Sequence, residues 1–389
     1  MFHPNEEEKE MSTTRGRTLK LAALAAIAAL LVVVTGCGGD DSSGSGGSAS
    51  GGSADISAAK QLSTESSTRP TAITQAKPID KPIPTGKKIT FISCGVEACA
   101  VQGPILAEGA QMLGWTVKQV GTDGSPEKVQ NAFQAAIRDG ANAVIINAAD
   151  KDALAGPISA AKAKGVEVVT CCSLATQGKD VLFNTGTPEQ NAPIGKILAS
   201  KVVSDSGGKA NTLYANVSAF AILAAVGSTF ESEYKRLCDD CKFAKIDIPL
   251  TSLGKDAPDR IVSYLRSHPS VNYLVLSESG SLGPGLPAAL QAAGLGDKVK
   301  IVGQGGNQQV YQDVGSGKIV AVTPSSLYGY DYSMLDALAR KWAGVPVEQT
   351  SPEFWLMTKE NIPANINGPA FPIVQDYKAQ WAKLWGKSA

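Results

Sequence analysis

Hydrophobic and polar positions alternate with two periods along most of this chain. Ile89-Thr90-Phe91-Ile92 and Ala143-Val144-Ile145-Ile146 are short apolar runs with almost no polar interruption, as strands covered on both faces must be. Between them Val129, Ala132, Phe133, Ala136 and Ile137 fall at i, i+3, i+4, i+7 and i+8, the buried stripe of one helix. Ser125 is placed to cap that helix, with Pro126 in its first turn and Glu127 near the positive end of its dipole. Pro104 to Leu113 reads as a helix stopped by Gly114, and Trp115-Thr116-Val117 as a strand. Asp152 to Lys164 reads as a helix that leads through Gly165 to a strand at Val166 to Val169. Such alternation predicts a parallel sheet with helices on both faces.

A short strand at Val181-Leu182-Phe183 and a helix from Pro188 to Val203 follow, and then the alternation restarts. Strands are expected at 211–215, 243–248, 273–276, 299–303 and 319–322, with helices at 220–237, 256–267, 286–293 and 309–314 between them. Two similar units in series predict an α/β protein of two doubly wound, parallel-sheet lobes with a cleft between them. In such sheets ligands sit beyond the carboxyl ends of the strands. In the first unit those ends are Ser93-Cys94-Gly95, Asn147-Ala148-Ala149 and Cys171-Cys172-Ser173. Ser93 to Ala98 is neither a dinucleotide nor a phosphate loop, which argues against a nucleotide-dependent enzyme. Helices at 332–342 and 376–385 and a late strand at 354–357 complete the chain. Tyr377, Trp381, Leu384 and Trp385 near one face of the last helix are expected to dock it.

The beginning of the chain has a different pattern. Arg15, Arg17 and Lys20 precede Leu21 to Thr35, an uncharged apolar run of fifteen, the length of a signal-peptide core and short for a membrane span. It ends in Val34-Thr35-Gly36-Cys37, which resembles the lipobox of bacterial lipoproteins; that resemblance implies lipidation at Cys37. Met1 and Met11 both remain open as the initiator. Residues 38–86 are rich in Gly, Ser and Pro and are expected to be a disordered tether. Roughly 47 such residues would reach about 35–40 Å.

Lys+Arg and Asp+Glu both number 36, and residues 1–37 hold four of each sign, so the remainder is also neutral. No basic field points to nucleic acid. With Cys37 lipidated, six of the seven cysteines remain, in close sets: Cys94 with Cys99, Cys171 with Cys172, and Cys238 with Cys241. In an exported chain they suggest disulfides, with Cys238–Cys241 as a local clip. Cys171-Cys172 could form a vicinal ring, stay reduced or pair elsewhere, and six cysteines allow fifteen connectivities. His3 and His268 are the only histidines, so no metal site and no cofactor are expected.

From Lys87 to the C-terminus the chain resembles the type I periplasmic binding proteins of ABC importers, specifically the ribose-binding-like group. The resemblance rests on the order of Lys88-Ile89-Thr90-Phe91-Ile92-Ser93, Glu108-Gly109-Ala110, Ala143 to Asn147, Gly165 to Val169, Val302-Gly303-Gln304-Gly305-Gly306 and Gly317 to Ala321. It implies three hinge crossings, placed near Gln190, Ser325 and Thr358. The lobes would then be 87–189 with 325–357, and 190–324 with 358–389. The charged and amide groups that clamp sugars in that family fall here on Cys172 and Ser173, Ala224, Ser279-Gly280, Gly305 and Ser325. A site poorer in charge, suited to a less hydroxylated solute, is therefore expected. The polar candidates at the strand ends are Glu97, Gln102, Asn147, Glu278, Gln304 and Asn307, and Tyr328 and Tyr330 follow. Phe220 is a candidate for the cleft wall, and Cys172, Ser173, Ser279 and Ser325 are retained from the aligned positions.

The resemblance implies a monomeric, lipid-anchored protein on the outer face of the cytoplasmic membrane. It would capture a small molecule and deliver it to an ABC permease. A ligand sensor reporting to a membrane receptor is the alternative of the same fold. An extracytoplasmic enzyme is the third, and neither a G-x-S-x-G sequence nor a plausible cleft histidine supports it.

Overall fold

In the computed structural model the described residues are 54–388, apart from 150, 365, 367 and 369. Cys37 and its lipobox lie outside them. Two α/β lobes are built as the alternation predicts. The first holds β1 (Lys88–Ser93), β2 (Thr116–Gly121), β3 (Ala143–Asn147), β4 (Glu167–Cys171) and β5 (Phe183–Thr185), all parallel, in the order β2-β1-β3-β4-β5. The second holds β6 (Asn211–Asn216), β7 (Lys242–Asp247), β8 (Tyr273–Leu276), β9 (Lys300–Gln304), β10 (Ala321–Thr323) and β11 (Met357–Thr358). Their order is β11-β10-β9-β8-β6-β7, with β11 antiparallel to β10. Central strand β3 is buried at every position, whereas edge strand β7 carries Lys242 and Lys245, charges that discourage pairing with another chain.

Helices cover both faces of each sheet. They are α1 (Ile56–Ser66), α2 (Glu97–Ala100), α3 (Gln102–Met112), α4 (Pro126–Arg138), α5 (Lys151–Ala163), α6 (Pro188–Ser206) and α7 (Ala221–Leu237). After these come α8 (Ala257–Ser267), α9 (Ser279–Leu282), α10 (Leu286–Ala292), α11 (Gln308–Gly315), α12 (Leu327–Ala343) and α13 (Tyr377–Leu384). The stripe on α4 is buried through Val129, Ala132, Phe133 and Ala136. Ser125 stands at the N-cap but makes no cap bond; its amide instead donates to Asp123 at 3.0 Å in the preceding turn. The capping box that does form opens α6: Thr187 and Gln190 each accept the other's backbone N–H, at 3.3 and 3.1 Å.

The expected tether ends too late. Residues 54–86 are folded onto both lobes. Ala59 of α1 is buried in the second lobe's core beside Ile197, Val226 and Tyr234. Ile79 and Ile83 are buried in the first lobe's core. Arg69 lies over the rings of Trp355 and Phe371, with its guanidinium carbon 5.1 and 4.8 Å from their centroids. It donates to the carbonyls of Ile373 and Pro372 at 2.8 and 2.9 Å. The segment is polar by composition, yet its few apolar residues and backbone groups find partners far along the chain, which composition cannot register.

Two lobe boundaries also change. Trp355 and Leu356 are buried in the second lobe's core, so the third passage lies between Val347, packed on the first lobe, and Phe354. The final helix returns to the first lobe, where Tyr377, Trp381 and Trp385 pack on Tyr332 of α12. Two additional passages result, one after Ser67 and one at 373–374. Glu353 joins three segments at the hinge, accepting from Ser326 Oγ at 2.8 Å and Thr74 N at 3.1 Å. A buried ion pair within α12, Arg340–Asp336 at 2.6 Å, ties the segment before β1 and the end of α13 to the first lobe. Asp336 also accepts from Trp385 Nε1 at 3.0 Å and Gln75 Nε2 at 3.1 Å.

Candidate functional site

The carboxyl ends of β1, β3 and β4 face those of β6, β8 and β9 across the cleft. Two chambers lie there. The larger, about 350 Å³, is lined by Ser93, Asp123, Asn147 and Ala149 from the first lobe and by Phe220 and Leu250 from the second. The smaller, about 90 Å³, is lined by Gln102, Asn147 and Cys172 on one side and Phe220, Leu223 and Gln304 on the other. Val96, Asn147, Ala148 and Phe220 border both, so the chambers are parts of one cleft. Size alone would favour the first. The second is the better candidate because unsatisfied polar groups converge there.

Those groups are specific. Asn147 is buried; its Oδ1 accepts weakly from Cys94 N at 3.4 Å, and its Nδ2 has no protein partner. Gln304, at the end of β9 in the other lobe, is buried with Oε1 unpartnered. A buried amide atom without a hydrogen bond costs about 1–3 kcal/mol, so both are poised for a bound molecule. They present one donor and one acceptor from opposite walls. Phe220, at the N-cap of α7, with Ile222, Leu223, Ile194 and Leu327, supplies apolar surface around them.

Glu278 adds a carboxylate. The residue as a whole is half-buried, but the carboxylate turns inward and accepts from the amides of Gly280 at 3.0 Å and Ser281 at 2.7 Å. Burial pushes its pKa above the ordinary value against the pull of those bonds. At Gly305, φ is +70° and a Cβ would stand 3.0 Å from Glu278 Oε1. Where the resemblance leads one to expect an aspartate at 305, a carboxylate is thus delivered from position 278. The site is less depleted of charge than the aligned positions imply.

The other sequence candidates divide. Gln102 and Ser325 line the cleft, with Gln102 Nε2 held by the carbonyl of Ala98 at 3.0 Å. Glu97 and Asn307 meet across the lobes, Asn307 Nδ2 donating to Glu97 Oε2 at 3.3 Å. Asn307 also caps α11, accepting from Val310 N at 3.1 Å. Ser173 is a buried turn residue whose Oγ accepts from Ala175 N at 3.3 Å. Ser279 is wholly buried with its Oγ unpartnered beneath β9, where a Cβ on Gly303 would strike it. Neither lines the cleft, because each side chain turns into its own lobe. Tyr328 does not line it either; its ring packs edge-on against Tyr377 at 4.7 Å. Two residues further along α12, Tyr330 reaches the cleft and donates to Asn191 Oδ1 at 2.7 Å. Asn191 and Ile194 of α6 were not singled out in the sequence; their signal is position, in the first turns after a hinge crossing.

Of the cysteine expectations, Cys94–Cys99 and Cys238–Cys241 are disulfides, and Cys171 and Cys172 are free thiols. Among the described residues no group of His, Cys, Asp and Glu could hold a metal ion, and no helix is long and apolar enough to cross a membrane.

The periplasmic binding protein domain pattern matches residues 103–345. Comparison with curated proteins gives no match. Among solved structures, the chain is similar to the 5-methylthioribose transporter solute binding protein of Thermotoga lettingae, at 22% identity and TM-score 0.63, over 73% of this chain and 89% of that one. It is also similar to a glucose-galactose binding protein from Geobacillus stearothermophilus, at 17% identity and TM-score 0.62, over 72% and 100%. The fructose binding periplasmic domain of a hybrid two component system has 17% identity and TM-score 0.62, over 71% and 92%.

Proposed function

The chain belongs to the periplasmic binding protein domain family, and from that membership we propose that it captures a small solute between its lobes outside the cytoplasm and hands it to an ABC permease. The observation that carries this reading is the pair of unpartnered amide atoms, Asn147 Nδ2 and Gln304 Oε1, on opposite walls of one cavity. A solute that accepts from one and donates to the other draws the lobes together. Binding then shifts an open–closed equilibrium, and the permease reads the closed form. The reading assigns no turnover to the protein.

The solute has a polar end and an apolar body. Cys172, Ala224 and Ser325 stand where the resemblance leads one to expect charged or amide clamps of a sugar, with only the Glu278 carboxylate in partial compensation, and a buried hydrogen bond to a charged group contributes about 1.5–3 kcal/mol. Losing two or three such bonds forfeits several powers of ten in affinity. Isothermal titration should therefore find ribose, glucose and galactose weak or silent. A less hydroxylated compound, with 5-methylthioribose as the first probe, should bind more tightly. Micromolar binding of a common pentose or hexose would overturn the solute class.

The sensor reading shares this cleft and differs in the partner that reads it; the two-component periplasmic domain among the similar structures favours keeping it. Co-purification with a permease supports the first reading, and co-purification with a receptor kinase the second. We further propose attachment through lipid at Cys37. Cys37→Ala should release the protein from the membrane fraction with its lobes intact, and persistent detergent-sensitive attachment would count against the lipobox.

A further inference from the structure

Cys171 and Cys172 end β4 at the floor of the cleft. Their sulfurs lie 2.8 Å apart, closer than two unbonded sulfurs ordinarily pack. Cys172 has φ of +60°; among the described residues only it and Ala148 are non-glycine residues in that region, and both line the cleft. A side-chain-bearing residue is held there at a cost, and such strain gathers at functional positions. Two features hold it. Cys172 N donates to the carbonyl of Thr185 at 2.8 Å. Gly186, itself at φ +63°, leaves room for the thiol, since a Cβ there would lie 3.1 Å from Cys172 Sγ. Cys171 is fully buried while Cys172 is only partly so. Cys172 also packs against the cores of both lobes.

We propose that Cys171 and Cys172 are a redox-active dithiol, reversibly oxidised to a vicinal disulfide by exchange with a disulfide-bearing oxidant that enters the cleft. Cys172, the reachable sulfur, attacks the oxidant's disulfide as a thiolate and expels one thiolate, leaving a mixed disulfide at Cys172. Cys171 then gives its proton to the departing thiolate and attacks Cys172 Sγ, expelling the second half of the oxidant as a thiolate that takes up from solvent the proton Cys172 released on ionising. One external disulfide becomes two thiols, and one protein disulfide forms. In the dithiol the hydrogen bond to Cys172, followed by burial, raises the Cys171 thiol well above its usual range, which leaves the partly exposed Cys172 to initiate.

Adjacent Cα atoms are about 3.8 Å apart, below the usual disulfide span of about 4.4–6.8 Å. The ring is therefore strained and easily reduced. Cys94–Cys99 and Cys238–Cys241, at 5.5 and 5.3 Å, lie within that span. Closing the ring removes the Cys172 S–H from the cleft and ties the sulfur that touches both lobes. That consequence for a solute rests on the proposed function, whereas the exchange chemistry does not.

The test uses the full chain equilibrated with oxidised glutathione, then with graded dithiothreitol, quenched with N-ethylmaleimide and mapped by peptide mass. In the oxidised sample the peptide containing Cys171-Cys172 should be unalkylated and lighter by two hydrogens. The pair should open at a dithiothreitol concentration at least tenfold below that which opens Cys238–Cys241. In Cys171→Ser, Cys172 should accumulate a glutathione adduct that the wild type does not retain. Alkylation of both thiols in the oxidised sample, a bond from either to another cysteine, opening no easier than Cys238–Cys241, or an unreactive Cys172 in the variant would each overturn the proposal. None of these outcomes bears on whether the cleft binds a solute.

Discussion

Asp331 is completely buried, and neither of its carboxylate oxygens has a hydrogen-bond partner. Burial, with the nearby Cys172 adding to it, pushes its pKa well above the ordinary carboxyl range. Well below pH 3.8 the carboxyl is protonated whether the chain is folded or not. Above that pH the unfolded chain ionises freely while the folded one resists. The stability present at low pH is therefore lost as pH rises toward the elevated folded value. Asp331→Asn should melt at a higher temperature than wild type at pH 8, with the difference shrinking toward pH 4. Melting curves across that range check it, and a variant less stable at every pH would show that the carboxylate has a role in holding the fold. In the proposed binding site, Gln304→Ala and Asn147→Ala should each weaken capture of a solute found by screening. About 1 kcal/mol per lost bond corresponds to roughly five-fold, measured by titration with melting temperature as the control for folding.

At the scale of elements, the Arg340–Asp336 pair joins α12, α13 and the segment before β1. Removing one partner of a buried pair costs about 3–5 kcal/mol, because the other charge is left stranded. Asp336→Ala should lower stability by that amount in denaturant melts, far more than loss of the exposed Lys118–Asp139 pair, for which Lys118→Ala should be nearly silent. Arg69→Ala should loosen residues 67–86 and make them the first site of limited proteolysis. The lobes were legible because strand and helix periods are local: β3 and the α4 stripe are written in adjacent residues. The polar segment at 54–86 was not, because its partners are some 300 positions away, as in Ile73 N to Gln380 Oε1 at separation 307. The hinge crossings placed near Gln190 and Ser325 came from the family resemblance and not from the periodicity. The passage at 347–354 has no periodic mark, and the tryptophans of α13 announce docking without saying onto which lobe. In the cleft, strand ends pointed to Asn147, Gln304 and Cys172. Tyr328 and Tyr330 could not be told apart there, because the helical phase of α12 is fixed only by its packing on α3 and β4.

For the whole molecule, Glu97 and Asn307 bridge the two lobes at the cleft, and the Cys94–Cys99 disulfide ties the turn after β1 to α2, whose first residue is Glu97. Glu97→Ala should ease opening and weaken solute binding by a few-fold, while reduction of Cys94–Cys99 should weaken it further through loss of loop order. Scattering profiles of the ligand-free variant, more expanded than those of wild type, would record the first effect. The ends of the described chain bear on this motion in another way. Asp55 N is bonded to the carbonyl of Leu237, so α1 leaves from the second lobe, whereas Trp385 is seated in the first. A donor fluorophore ahead of α1 and an acceptor after α13 would therefore ride on different lobes, and their energy transfer would change with closure. The native fold thus supplies the two attachment points of an optical reporter, one that could identify the solute by response alone before its chemistry is known.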